Sequence, residues 1–378
     1  MNKIVHFTYG LQRGGIETWL MHLAKHMDAA QYELVLAHHG EASCAIAADL
    51  RAAGYQIERL PSPRSPLSYW RSLTRFLADH GAIAAVHSHL NFAGIIMRAA
   101  RKSGIPVRIA HSHVGPGLRT DGIVAGNYVS LTNRLFLSDR TLGIAASEQA
   151  AITLFGENWR ALPDIQLMPC GIDFEEFRRR SHPGLRERLG IEAGRKVIAM
   201  IGRLSPEKNH ALALRVMALL VEDDKPPCLL VVGDGPERAV LEDGIQRAGL
   251  GAHVMLLGER PDVPALLQEV ADILVLPSLT EGSPLPLAVL EAHAAGIPCL
   301  VSDAIPRPLE GEVAGIRRLS LAGGAQSWAA QIREILLTRR GGSAESLEHS
   351  VYDIRSNARL LAAVYQQALS PESRGAVT

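Results

Sequence analysis

The sequence reads as an α/β protein built from two parallel-sheet domains, for three reasons. Its 378 residues exceed what one ordinary hydrophobic core serves. Short apolar runs alternate with amphipathic stretches along most of the chain, the pattern of strands and covering helices. That alternation breaks once, near LMPCGIDFEEFRRRSHPG, and then resumes.

The first series begins with KIVHFTY, followed by the helical pattern ETWLMHLAKHM and then the strand YELVLAHH. AIAAVHSH leads into FAGIIMRAARKSG, where Gly104 sits as a residue just past a helix end. VRIAHSH and LGIAASE complete the series. The charged run Glu175 to Arg180 and Pro183-Gly184 mark the boundary. After it come KVIAMIGRL, CLLVVGDG, VMLLGE, ILVLPS and PCLVSD, each an apolar run that ends in a polar or glycine-bearing turn. Ligands of open α/β sheets sit beyond the carboxyl ends of strands, so two such domains facing one another would make a cleft.

Composition narrows the function. Hydrophobic residues at 47% and charged residues at 21% are ordinary for a globular protein. Acids and bases balance at 39 each, which argues against broad electrostatic capture of nucleic acid. Cys44, Cys170, Cys228 and Cys299 form no CxxC pair, which fits reduced thiols of a cytoplasm better than disulfides or a zinc site. MNKIVHFTYG is a strand-like start rather than a signal core, and no apolar run reaches the ~18 residues of a membrane span. The expectation is a soluble cytoplasmic protein, with peripheral contact at the cytoplasmic membrane face left open. Trp70 to Phe76 and the Arg98, Arg101, Lys102 cluster read more readily as ordinary amphipathic helix faces than as membrane contacts.

Five motifs bear on chemistry. GRLSPEKN, Gly202 to Asn209, places Arg203 and Lys208 on a turn at the carboxyl end of a strand. A guanidinium fork and an ammonium point charge there would suit a diphosphate, although two solvated loop cations are the blander reading. VVGDGPERAV carries Gly233 and Gly235 but has Arg238 where a dinucleotide fingerprint needs its third glycine, so a tight strand-to-helix turn is the better account. Gly14 and Gly15 open a helix after the first strand, where exposed N–H groups favour an anion. His87 and His89, like His111 and His113, share a strand face. A metal is formally possible there, yet no nearby carboxylate or cysteine completes it. Satisfied strand-end histidines are commoner, and one of them could still hold a substrate hydroxyl or move a proton. In TEGSPLPLAVLEAHAAGIP, Pro286 fits a first helical turn and Gly296 the position just past the end. Glu281 is then a loop carboxylate, whereas Glu291 lies within an apolar helix. It needs ligand hydroxyls, or else a structural arginine or backbone partner.

These segments together resemble the retaining glycosyltransferases of family 4. The resemblance runs from GGIE to LEAHAAGIPCLVSD and is most specific in GRLSPEKN, GDGPE, LGERPDVP and EGSPLPLAVLEA. RIAHSHV and AASE resemble the branch that makes bacterial exopolysaccharide and other surface polysaccharide. The resemblance implies a GT-B fold: an acceptor-binding domain over 1–176, rejoined by a C-terminal helix at 357–370, and a donor-binding domain over 177–356. It implies a nucleotide-sugar donor, with uridine as the family's habit, and a glycan or lipid-linked acceptor. No cofactor and no metal is implied; DxD is absent, and Asp223-Asp224 reads as a solvated surface pair. Arg203 and Lys208 would neutralise the donor diphosphate beside Gly202, and Glu291 would bind the ribose. Glu281 would sit by the transferred sugar, with backbone N–H groups of Gly282, Ser283 and Leu287 on the phosphate. Gly258, Glu259 and Arg260 would flank the base, Gly14 and Gly15 would approach from the other domain, and His113 would lie near the reacting sugar.

The sequence departs from the family in three places. Nine residues separate Glu281 from Glu291 where the family usually has seven, so eight back from Glu291 is Ser283. An insertion that leaves Glu281 in its role is favoured, because EG follows LPSLT. Pro286 removes one N–H donor from the phosphate cradle, and Cys170 stands where asparagine is common. Rival readings are a nucleotide-sugar epimerase or phosphorylase of the same fold, and a non-catalytic nucleotide-sugar-binding protein.

Overall fold

The computed structural model describes residues 1–40, 44–61, 66–113, 123–178, 183–283, 285–307, 313–338, 341 and 347–369. The chain divides into two compact units. Unit 1 is Met1–Gly171 together with the stretch from Ile354, and unit 2 is Ile172–Asp353.

Unit 1 is a seven-stranded parallel sheet. Its strands are β1 (Asn2–Thr8), β2 (Tyr32–His38), β3 (Tyr55–Arg59), β4 (Ile83–Ser88), β5 (Val107–Ser112), β6 (Leu142–Ala145) and β7 (Ile165–Leu167), in the order β3-β2-β1-β4-β5-β6-β7. Sequence periodicity found five of them. It missed β3, whose residues alternate with charge, and the three-residue β7. One face of the sheet presents Val5, Phe7, Val35, Ala37, Val86 and Ala110 to the helices Pro66–Asp79 and Ala93–Lys102. Gly104, at φ +71, follows the Ser103 cap as expected. Trp70 of the first of those helices lies under the Lys102 ammonium, 5.6 Å from its ring centre, so this stretch packs within unit 1.

The opposite face carries the helices Gly15–His26 and Ile354–Leu369. The second is the C-terminal helix foreseen from the sequence. It is fastened by Asn357, 2% exposed, whose Oδ1 accepts from Trp19 Nε1 at 2.8 Å and from the Gly171 amide at 2.7 Å. Asn357→Ala orphans two buried donors, so we expect about 3 kcal/mol less stability. A thermal-unfolding comparison with the parent checks this.

Unit 2 is a six-stranded parallel sheet of β8 (Val197–Ile201), β9 (Cys228–Val232), β10 (Val254–Gly258), β11 (Ile273–Leu276), β12 (Cys299–Ser302) and β13 (Ile316–Leu319). β8, β9 and β11 are apolar throughout because both faces are covered, whereas β13 at the sheet edge carries Arg317 and Arg318. Ile198, Met200, Leu229, Val231, Ile273 and Val275 face one way, toward Trp328 and Ile332 of the helix Gly324–Thr338. Ala199, Leu274, Leu276, Cys299 and Val301 face the other, toward Val289 and Leu290. Asp223, read as solvated, instead accepts the Arg333 fork, with Nε–Oδ2 at 2.9 Å and Nη2–Oδ1 at 2.8 Å. Sequence spacing cannot show that pairing, which links residues 110 apart.

Candidate active site

In unit 2 the strand order is β10-β9-β8-β11-β12-β13. The chain steps outward from β8 to β10 and then returns to β8's other side as β11. Loops leaving β8 and β11 therefore turn apart, which opens a crevice at the strands' carboxyl ends. The motifs GRLSPEKN and LPSLTEGS are those two loops. They are stitched together: the Leu279 amide donates to Glu207 O at 2.7 Å, and Asn209 Nδ2 donates to Pro277 O at 3.1 Å. Asn209 holds φ 56, a left-handed conformation that asparagine tolerates.

Lys208 Nζ forms an ion pair with Glu281 Oε1, and Ser278 Oγ donates to the same oxygen at 2.7 Å. Ser302 Oγ, at the end of β12, donates to Ser278 O at 2.5 Å. A chain of polar contacts thus crosses three strand ends and fixes Glu281. The Lys208 and Glu281 side chains are 17% and 11% exposed. Ser283, the alternative for the first-glutamate role, turns its Oγ onto Leu285 O at 3.0 Å. Arg203 is exposed and meets no partner among the described residues. Ser278, Ser302 and Asn209 were missed from the sequence. Nothing in LPS or LVS distinguishes a supporting serine from a solvated one.

The floor of the crevice is bare backbone. Gly202, Gly233 and Gly258 end β8, β9 and β10 at φ +152, +133 and +67. The Gly202 amide donates to Val232 O at 2.9 Å, and the Gly233 amide to Gly258 O at 2.8 Å. A Cβ on Gly233 would lie 2.0 Å from Gly202 O, and one on Gly235 would lie 2.4 Å from Leu204 O. The half-fingerprint is accordingly a close-packed strand-to-helix turn. Arg260 closes as a fork on Asp262, with Nε–Oδ1 at 2.8 Å and Nη2–Oδ2 at 2.6 Å, which raises the guanidinium pKa.

The helix Leu287–Ala294 begins one residue after the expected first-turn proline, with Pro286 as its cap, and Gly296 follows its end at φ +77. The Val289 and Leu290 amides donate to Pro286 O at 2.8 and 3.1 Å, while the Leu287 and Ala288 amides have no acceptor among the described residues. Glu291 is half-buried between Leu290 and Ala292, and its carboxyl has no hydrogen-bond partner among the described residues. The structural arginine or backbone partner left open by the sequence is therefore not found there. Burial pushes the Glu291 pKa up to about 8, and the negative charge of Glu176 adds to the effect.

In unit 1, Gly14 caps the helix Gly15–His26, and the Glu17 carboxylate lies against it. Oε2 would be 2.9 Å from a Cβ at Gly14. The helix thus brings its own anion to its first turn. His113 is half-buried, with both ring nitrogens engaged: Nε2 with His89 Nδ1 at 2.8 Å and Nδ1 with Cys170 Sγ at 3.3 Å. Burial lowers its pKa to about 3. The four strand-end histidines belong to a larger buried array with His6, which the sequence reading passed over because a lone histidine on β1 has no partner in its own strand.

Two family models match the chain. Glycosyl transferases group 1 matches residues 182–352, and the Glycosyl transferase 4-like domain matches residues 14–161. A putative glycosyltransferase EpsF of Bacillus subtilis (strain 168) is 31% identical over 376 residues, covering 96% of each chain. The Escherichia coli UDP-Gal:alpha-D-GlcNAc-diphosphoundecaprenol alpha-1,3-galactosyltransferase is 32% identical over 226 residues, 58% of this chain and 57% of the relative. In fold, the chain resembles Anabaena Alr3699/HepE, solved in complex with UDP and glucose. The TM-score is 0.77 at 18% identity, over 97% of this chain and all of the other.

Proposed function

The chain belongs to the glycosyltransferases, with two parallel-sheet domains of the GT-B class, and from that premise we propose a specific reaction for it. It moves a sugar from a UDP-sugar to a hydroxyl of a glycan or lipid-linked glycan in polysaccharide synthesis, with retention at the anomeric carbon. The observation that carries this reading is the pairing of Lys208 with Glu281 at the β8/β11 switch point of unit 2, with Arg203 on the same loop as Lys208. The EpsF relative supports the polysaccharide context, the lipid-linked substrate in the Escherichia coli relative's name supports the acceptor class, and the UDP complexes of HepE support the base.

Lys208 is neutralised by Glu281 in the ligand-free protein. An arriving diphosphate takes over that role, and Glu281, still held by Ser278, can then accept a hydrogen bond from a sugar hydroxyl. Arg203 and the first N–H groups of Leu287–Ala294 meet the other phosphate oxygens. As the sugar–phosphate bond breaks, the acceptor oxygen bonds to the anomeric carbon from the same face. The acceptor's proton passes to a phosphate oxygen of the leaving group. No protein nucleophile is needed, and with both its nitrogens engaged His113 is not required as the base. The charge stabilisation comes from side chains and amides, so donor handling calls for no metal.

Binding of UDP, GDP, ADP and their sugar conjugates, with and without Mg2+, tests the reading by calorimetry. Selective binding of a uridine ligand, independent of Mg2+ and weakened roughly tenfold to a hundredfold by Glu291→Ala, is the expected result, since a hydrogen bond to a charged group contributes about 1.5–3 kcal/mol. Failure of every nucleotide to bind sinks it.

Glu291 adds a pH signature. Below about 8 its carboxyl is protonated in the free protein, whereas ribose hydroxyls favour the ionised form. Uridine-nucleotide binding therefore releases a proton below pH 8 and tightens as pH rises to about 8, then levels off. Glu291→Gln abolishes both effects. Calorimetry in buffers of different ionisation enthalpy reads the proton directly. In the absence of ligand the sign for stability is opposite. The raised carboxyl favours the native state fully below 4.5, and that contribution is lost as pH climbs toward 8.

A further inference from the structure

On the α-helical side of β1, β4 and β5 lies a stack of five imidazoles with no counterpart in the proposed reaction. His6, His87 and His111 are fully buried, His89 is 5% exposed, and His113 is half-buried. Register puts them together: His6 lies opposite His87, and His87 lies opposite Ile109, so His89 and His111 stand two residues on and share the same face. Trp19 walls the array, 5.5–5.8 Å from His89, His111 and His113 ring centre to ring centre.

The hydrogen bonds form two chains. One runs His6 Nδ1–His89 Nε2 at 3.0 Å, His89 Nδ1–His113 Nε2 at 2.8 Å and His113 Nδ1–Cys170 Sγ at 3.3 Å. The other runs from Tyr365 Oη to His87 Nδ1 at 2.8 Å and from His87 Nε2 to His111 Nδ1 at 3.1 Å. A neutral imidazole has one N–H and one lone pair. Whichever way the protons point, one nitrogen is left over at the end of each chain: His6 Nε2 and His111 Nε2, both buried and without a partner among the described residues. Buried polar atoms of this kind call for an unseen water or ion. Burial also keeps all five rings neutral, the form that binds metals.

We propose that His89, His111 and His113 hold a divalent transition-metal ion of the zinc class. One ring nitrogen from each lies within 4.8 Å of the other two. The His89–His113 hydrogen bond marks the place, and the ion replaces the proton shared there. Metal–nitrogen bonds of about 2.0–2.1 Å in a tetrahedron set ligands roughly 3.3 Å apart, so the pair opens slightly on loading. His113 then donates its Nδ1–H to Cys170, whose sulfur fixes the ring's tautomer and orientation as the outer partners of metal-bound histidines do. No proton is lost: His89 carries its single N–H on Nε2 and donates it to His6 Nδ1, so every ring stays neutral. From sequence, two HSH pairs lacked further ligands; the fold supplies them by laying β4 beside β5.

The decisive experiment is titration of chelator-stripped full-length protein with Zn2+ against a chromophoric competitor, and with Co2+ followed by visible absorption. One tight equivalent and the intense absorption of low-coordinate Co2+ are expected. His111→Gln should weaken uptake at least tenfold, and Cys170→Ser should weaken it by about tenfold to a hundredfold. Absence of stoichiometric uptake by the parent protein overturns the proposal without recourse to variants. So does uptake equal in parent and His111→Gln. Nucleotide binding depends on unit 2 groups, so its failure and failure of metal uptake are read separately.

Discussion

Lys208→Ala lowers the rate of sugar transfer by about a hundredfold or more, with a smaller change in KM. Removing one preorganised donor from developing negative charge typically costs about 3 kcal/mol in the transition state. Lys208 is well placed to do this work, because its side chain is only 17% exposed and pairs with Glu281 of the other loop. The substitution also leaves Glu281 facing Ser278 without a countercharge. Arg203→Ala should cost less, because Arg203 is exposed and screened by water. Initial rates with a labelled UDP-sugar, at donor concentrations on both sides of KM, separate binding from turnover. An unchanged kcat in Lys208→Ala would mean that the diphosphate lies elsewhere.

Gly233→Ala carries the second large effect, this time on the fold of the site. Its methyl group would sit 2.0 Å from Gly202 O, a backbone atom that cannot swing away, and its φ of +133 disfavours any side chain. Steric overlap and backbone strain together cost on the order of 4 kcal/mol. We expect the unfolding transition of unit 2 to move to markedly lower urea and nucleotide binding to go with it. Gly251→Ala serves as the control, since a Cβ there meets nothing within 4 Å. Its effect should stay within about 0.5 kcal/mol. Equal stability of the two variants would refute the close approach of the β8 and β9 ends.

Much of this architecture was legible in the sequence because buried parallel strands are continuous apolar runs. KIVHFT, VIAMI and CLLVV announce themselves, whereas β3, as YQIER, does not, because it lies at the sheet edge and keeps polar residues outward. The site was legible where a residue type conflicts with its surroundings. Glu291 inside an apolar helix was such a conflict, and its carboxyl has no hydrogen-bond partner among the described residues. What could not be read were partners brought together across strands. Ser278 and Ser302 become supports only when β11 and β12 lie side by side. The histidine pairs become an array only when β1, β4 and β5 align. Such contacts depend on register, which a single sequence does not encode locally.

The helix Ile354–Leu369 belongs to unit 1 although all of unit 2 precedes it in the chain. During synthesis the two units therefore cannot finish in the order in which they begin. Residues 1–171 must wait, with the Trp19 indole and the Gly171 amide lacking Asn357 and with His87 lacking Tyr365, until the helix Ile354–Leu369 has left the ribosome. Unit 2 is continuous and can complete itself first. A nascent chain stalled before residue 354 should thus expose a protease-sensitive N-terminal half beside a resistant C-terminal one. A truncation that removes Ile354–Leu369 would be felt first in unit 1, most of which precedes unit 2 in the chain.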